Sequence, residues 1–330
     1  MGKNDERIKA YKESSKFETE SSVFLDFNNT LNKALYYVLS KVPVVLFGPP
    51  GTGKTYIIEK IKTVLSEQNK LGKFDLVQFH KKFSYEDFIE GFAPNEMGTL
   101  SKKDGIFKSF CKGIAENDPL INLFIIDELN RAELSTTLGE VLYLLEERDV
   151  RKAKTSHFGE EFYIPPSVSI LGTMNTADRN ISSIDFAIRR RFRFIPLFPD
   201  YTVLKEVLLL KGWSESELSL DIDSYCKAAE RINIRIAGSP VMGRHMQLGH
   251  MMFVPTTIDS VITKEELLEQ FIYVILPQLE AYCGFGNEKL INEIIGGNIT
   301  YKYLNNRHIM YGDIESAIND IANSKEDGPK

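Results

Sequence analysis

From Val23 to Leu39 the apolar positions Val23, Leu25, Phe27, Leu31, Ala34, Leu35 and Val38 return at mostly helical spacing, which predicts an amphipathic helix. The pattern then changes. Val42–Phe47 is a continuous apolar run, too short for a helix and suited to a strand buried on both faces. Short strands of the same kind recur at Phe74–Phe79, Leu123–Asp127, Val168–Met174 and Phe192–Leu197. Helix-patterned segments separate them at Gly53–Glu67, Ile106–Glu116, Leu134–Glu147 and Ser182–Arg189. This alternation predicts an α/β domain, a parallel five-stranded sheet with flanking helices. Ala93–Gly105 and Asp149–Pro166 interrupt it and are expected to project as hairpins.

After Pro199 the strand signals fade. Tyr201–Lys211, Glu215–Ile232 and Lys264–Tyr282 read as helices, the last with Leu267, Leu268, Phe271, Val274, Ile275 and Leu279 on one stripe. The expected organisation is a flexible polar lead-in over 1–21, an α/β domain over 22–199, a helical domain over 200–322 and a frayed tail over 323–330. The lead-in has too few apolar residues to offset the entropy of ordering it.

With 330 residues, 43% hydrophobic and 26% charged, the chain has ample material for a buried core, which excludes disorder of the whole. No apolar run approaches the ~18 residues of a membrane helix, and the polar N-terminus does not read as a signal peptide, so the expectation is a cytoplasmic protein without membrane contact. Cys111, Cys226 and Cys283 are odd in number and widely spaced, the pattern of reduced core residues. A formal charge of −6 argues against sequence-independent DNA binding by this chain alone, because such binding is driven by phosphate neutralisation.

The candidate chemistry begins at Gly48-Pro49-Pro50-Gly51-Thr52-Gly53-Lys54-Thr55, which fits the eight-position P-loop pattern between a predicted strand and a predicted helix. Glycines let backbone N–H groups turn toward phosphates. Lys54 offers a point charge to the β/γ oxygens and Thr55 a hydroxyl to Mg²⁺, with Tyr56 following at the start of the helix. Leu123–Ile126 then buries a strand that delivers Asp127 at its C-terminal edge, to hold the metal, and Glu128 one residue on, to polarise water.

A third strand, Val168–Met174, ends in Asn175-Thr176-Ala177-Asp178-Arg179. If it lies between the P-loop strand and the Asp127 strand, Asn175 faces the γ-phosphate and orients the hydrolytic water, with Asp178 beside it. The likeness of this segment to a guanine-reading Asn-Lys-x-Asp is rejected on position, because a residue beside the metal strand does not reach the base. Ile188-Arg189-Arg190-Arg191-Phe192-Arg193 ends a helix, the place from which a guanidinium reaches a neighbouring subunit's γ-phosphate; the same run also reads as a solvated helix terminus. Arg189 and Arg190 are the finger candidates, and Arg131 a further one for reaching across a subunit boundary.

In this order, the P-loop, Asp-Glu strand, Asn-tipped strand, arginines and helical lid resemble the AAA+ ATPases. More narrowly, Phe79-His80, Tyr85–Gly91, Asp127–Arg131, Met174–Arg179, Arg189–Phe192 and Gly243–His250 resemble the McrB-type motor subunit of modification-dependent restriction systems, over about residues 40–285. The resemblance implies a GTP- or ATP-hydrolysing hexameric ring in antiviral defence. It also implies a McrC-type nuclease partner that contacts the loop matched by Asn175–Arg179. Members of that family usually carry an N-terminal reader of modified DNA, and about 40 residues ahead of the first strand are too few to form one. Three alternatives follow: the reader is a separate polypeptide, the chain is a motor fragment, or the target is not modified DNA. No acidic-plus-lysine nuclease constellation stands out, so cutting falls to the partner. A MoxR-like protein-remodelling ATPase and a nucleotide-dependent scaffold without turnover are the other readings, the second disfavoured by Glu128.

Overall fold

The computed structural model describes residues 25–96, 98–146, 151–177, 184–211, 221–256, 262–284, 286–296 and 311–324. The expected lead-in, most of the expected tail, and the candidate Asp178 lie outside the described residues. The chain divides into two compact units. One comprises the described residues up to Phe47 together with Lys54–Leu197; the other comprises Gly48–Gly53 together with the residues from Phe198 onward.

Nine strands are described: β1 (Val44–Gly48), β2 (Leu71–Gln78), β3 (Glu90–Pro94), β4 (Leu100–Asp104), β5 (Ile121–Asp127), β6 (Ala153–Lys154), β7 (Glu161–Phe162), β8 (Val168–Asn175) and β9 (Arg193–Pro196). Five form one sheet in the order β2-β5-β8-β1-β9. The pairs β1–β9, β2–β5 and β5–β8 are parallel. The Asn175 strand therefore does lie between the P-loop strand and the Asp127 strand.

Side chains alternate across the sheet with the strand period of two. Val44, Leu46, Leu123, Ile125 and Leu171 pack with Ala34, Leu35 and Val38 of the helix Leu25–Leu39 and with Ile57, Ile58, Ile61 and Leu65 of the helix Lys54–Glu67. On the other face Val45, Phe124, Ile126 and Ile170 meet an aromatic cluster. In it Phe88 stacks on Phe107 at 5.0 Å, and Phe107 and Phe110 each set an edge against Phe124. Both faces are covered, which is why these strands read as apolar runs rather than as alternating ones.

The two interruptions are antiparallel hairpins, β3–β4 and β6–β7, the first beginning at Glu90 rather than at Ala93. Lys108, on the helix Ile106–Lys112 and only 1% exposed, ties them together. Its ammonium donates to Glu90 of β3, to Asp104 of β4 at 3.1 Å and to Glu160 beside β7 at 2.7 Å. Burial alone would lower its pKa, but hydrogen bonds to Glu160, Glu90 and Asp104 outweigh it and hold the pKa above the usual lysine value.

Two predicted helices differ in form. Leu134–Glu147 is broken into Leu134–Leu138 and Glu140–Leu144 at Gly139, whose φ of +46° no helix accommodates. A Cβ there would also stand 2.8 Å from the Tyr85 ring. The arginine helix is Phe186–Arg191, capped by Asp185, so its arginines occupy its last turn.

The second unit is helical. Its described helices include Tyr201–Leu210, Ile222–Gly238, Glu288–Ile295 and Tyr311–Asn323. The expected helix over 264–282 runs as Lys264–Gln270, a π-helical turn at Phe271–Ile275, and Leu276–Cys283. Pro277, without an N–H, falls where the widened turn ends. No described helix is long and apolar enough to cross a membrane.

Candidate functional site

The segment Gly48–Gly53 leads from β1 into the helix that starts at Lys54. Gly51 and Gly53 take φ of +77° and +84°, backbone that only glycine adopts at little cost, and the buried Thr52 hydroxyl donates to the Pro49 carbonyl at 2.9 Å. Lys54 is buried, and burial pulls its pKa down to about 8, with Glu128 and Asp127 pulling the other way. An ammonium in that position gains from any further anion brought to it. Thr55 and Tyr56, next in the helix, are exposed.

Asp127 ends β5 in register with Gln78 of β2. One carboxylate oxygen accepts from the Thr173 hydroxyl of β8 and the other from the Gln78 amide at 3.2 Å, which fixes the plane of the carboxylate. Glu128, one residue on, sits in the left-handed region at φ 53°, ψ 45°. A non-glycine residue there costs on the order of 1–3 kcal/mol and is a feature of functional sites. Its N–H donates to the same Thr173 oxygen at 3.1 Å. Its carboxylate accepts from the Asn175 amide at one oxygen and from Arg131 Nε at 3.3 Å at the other. The 3₁₀ turn Leu129–Arg131 brings that guanidinium back, and Asn130 steadies the β8 tip by donating to the Asn175 carbonyl at 3.1 Å.

A buried lysine, two carboxylates and a carboxamide on adjoining strand tips are thus joined by hydrogen bonds or by charge. The oxygen donors, Thr55 hydroxyl and Asp127 carboxylate, are of the hard type that suits Mg²⁺, and the electrostatic state of Lys54 fits a polyanionic ligand.

Residues 43–192 match the AAA domain of the dynein-related subfamily. Over 280 residues, 81% of this chain, the sequence is 34% identical to the Type IV methyl-directed restriction enzyme EcoKMcrB subunit of Escherichia coli K12. The chain is an McrB-like AAA+ protein. It is also 25% identical over 201 residues to YdiS, a component of the Type II restriction enzyme BsuMI of Bacillus subtilis 168, covering 48% of this chain. The chain spans 60% and 58% of the lengths of these two relatives.

In this McrB-like chain Lys54, Asp127, Glu128, Asn175 and Arg131 come together in the first unit, while Arg189 and Arg190 do not join them. Arg189 donates to the Ile184 carbonyl at 3.3 Å and lies over the Phe194 ring. Arg190 is mostly exposed and stands 3.1 Å from Glu146, which also pairs with Arg191 and Arg151 at 2.6 Å each. Arg131, the further candidate for reaching across a subunit boundary, pairs with Glu128 of its own chain, where the 3₁₀ turn places it three residues on and facing back.

Gln78 and Thr173 escaped the sequence reading, and Asn130 entered it only as part of the Asp127–Arg131 motif, with no role of its own. Thr173 was findable: it lies two residues before Asn175, hence on the same face of β8, and is a polar residue inside an apolar strand. Gln78 needed the strand order. In the second unit Arg244 lies over Phe198 at 3.9 Å, and His250 Nδ1 accepts from the Asp200 N–H at 3.2 Å. Burial holds the His250 pKa down at about 4, so it is neutral.

Proposed function

We propose that this chain is a Mg²⁺-dependent nucleoside-triphosphatase, the motor subunit of a restriction system, that hydrolyses GTP, ATP or both. The backbone amides of Gly48–Gly53 and the Lys54 ammonium bind the phosphate chain, with Pro49, Pro50 and Thr52 shaping the loop and Tyr56 flanking it. Thr55 and Asp127 would hold Mg²⁺, which when bound neutralises charge on the phosphate oxygens. Glu128 takes the proton of the attacking water, and Asn175 orients that water.

The observation that carries this reading is the Asn175–Glu128 hydrogen bond between neighbouring strand tips, in a chain whose buried Lys54 feels both Glu128 and Asp127. An amide that holds one oxygen of a carboxylate fixes that carboxylate's orientation, as a general base requires and a passive phosphate-binding scaffold does not.

The working assembly we propose is a homo-oligomeric, hexameric ring in which Arg189 or Arg190 serves the neighbouring subunit's nucleotide. A McrC-like nuclease engages the loop that begins at Asn175 and includes Asp178. DNA reaches the complex through that assembly or a separate reader. Steady-state hydrolysis of GTP and ATP side by side, with and without a McrC-like nuclease, tests this. Turnover of at least one nucleotide, raised by the nuclease, is expected; no turnover of either would refute the enzyme reading, and turnover indifferent to the nuclease would favour protein remodelling.

A further inference from the structure

We propose that the segment Gly249–Met252 is part of the phosphate-binding apparatus: a strap that grips the outer side of the P-loop and aims two of its backbone amides, with Gly249 as the positioning residue. The inference rests on the nucleotide-binding reading above and adds residues about 200 positions beyond the P-loop in the chain.

Gly249 N–H donates to the Pro50 carbonyl at 3.1 Å, and Met251 N–H donates to the Gly51 carbonyl at 3.0 Å. In a trans peptide the C=O and the next N–H point in opposite directions. Fixing the Pro50 oxygen on the strap therefore turns the Gly51 N–H away from it, and fixing the Gly51 oxygen does the same for the Thr52 N–H. These are amides of the kind that form an anion-binding concavity. Left free, those peptide planes would rotate, and the ligand would have to order them on binding.

The strap is itself held firmly. Asn233, fully buried, donates to the Leu248 carbonyl at 2.8 Å and accepts from the Leu248 N–H at 2.7 Å. Tyr225 donates to the Phe253 carbonyl at 2.9 Å and Gln270 to the Met252 carbonyl at 2.7 Å. His250, neutral, takes the Asp200 N–H. The approach to the loop leaves no room for a side chain. A Cβ on Gly249 would stand 2.2 Å from both the Gly51 carbonyl carbon and the Pro50 oxygen, and one on Gly51 would stand 2.9 Å from Met252 Cγ.

Gly249→Ala in the full chain tests this. The dissociation constant for the magnesium complexes of GTP and ATP should rise about tenfold or more in the folded variant, with some loss of unliganded melting temperature because the strap must shift off the loop. Where that variant does not fold, Met252→Ala, which thins the wall behind Gly51, should weaken binding to a smaller extent. In the wild type, added nucleotide should slow hydrogen–deuterium exchange of the Gly249 and Met251 amides, which a merely structural segment would not show. Wild-type affinity in a folded Gly249→Ala or, where that variant does not fold, in Met252→Ala, or exchange at 249 and 251 indifferent to nucleotide, would overturn the strap. Lys54→Ala separates the two readings: if it abolishes binding while Gly249→Ala does not, only the strap fails, and if the wild type binds neither nucleotide, the functional reading fails with it.

Discussion

Asn175, at the tip of β8, donates its amide to the carboxylate of Glu128 just past β5, so the two groups suited to manage an attacking water already touch across neighbouring strands. Glu128 holds that position in a left-handed conformation, with its N–H on Thr173 and its second oxygen on Arg131.

Removing the base while keeping the shape should separate binding from chemistry. Glu128→Gln should bind nucleotide with near wild-type affinity and lose about 10²–10⁴ in kcat, the usual contribution of a general base. Asn175→Ala should lower kcat more than it raises KM. Steady-state kinetics beside a binding titration check both; wild-type turnover in Glu128→Gln would remove it from the mechanism.

Lys54 gives a pH dependence whose sign is fixed by burial. Its pKa of about 8 lies below the ordinary 10.5, so between those values the unfolded chain binds the extra proton and fold stability rises with pH. Phosphate affinity runs the opposite way, because the triphosphate prefers the ammonium. The dissociation constant should therefore climb as pH passes about 8, by at most about tenfold per unit. Binding at pH 9 should take up protons, seen in calorimetry as a heat that varies with the buffer's ionisation enthalpy.

The buried cation between the hairpins should be costly to delete. Lys108→Met leaves Glu90, fully buried, without its counter-ion, and breaking such a pair costs about 3–5 kcal/mol. Urea unfolding should show that loss, and Glu90→Gln introduced with Lys108→Met should recover part of it.

The sheet was legible because its three central strands are buried on both faces and run directly into residues with a chemical role. Val44–Leu46 leads into the P-loop, Leu123–Ile126 into Asp127, and Ile170–Leu171 toward Asn175. What escaped depends on contacts between segments far apart in the chain. The break at Gly139 within the predicted helix Leu134–Glu147 is set in part by the Tyr85 ring against it, and Gln78 has no signal of its own until β2 is set beside β5. The Lys108 cluster joins residues from 90 to 160 through ionic contacts that no periodicity encodes. The direction Arg131 takes within its own chain is set by a 3₁₀ turn and not by the strand before it, so the strand pattern does not show its contact with Glu128.

The arginine helix yields the last prediction, since its members differ in how firmly they are held. Arg191 is 9% exposed, pairs with Glu146 and donates to the Ala187 carbonyl at 2.8 Å, so Arg191→Ala should chiefly cost stability. Arg190 is 66% exposed, and an exposed pair such as its contact with Glu146 is worth only about 0–1 kcal/mol, so it is readily given up to a phosphate. In the proposed ring, Arg190→Ala should keep nucleotide binding and lose about 10³-fold or more in kcat, the scale of a finger supplied by a neighbour. Mixing is the decisive measurement. Arg190→Ala and Glu128→Gln subunits should each be strongly impaired alone, but where they adjoin, one supplies the base and the other the guanidinium. Hydrolysis should reappear in the mixture; its absence would place Arg190 outside the neighbour's site and return the run to a solvated helix end.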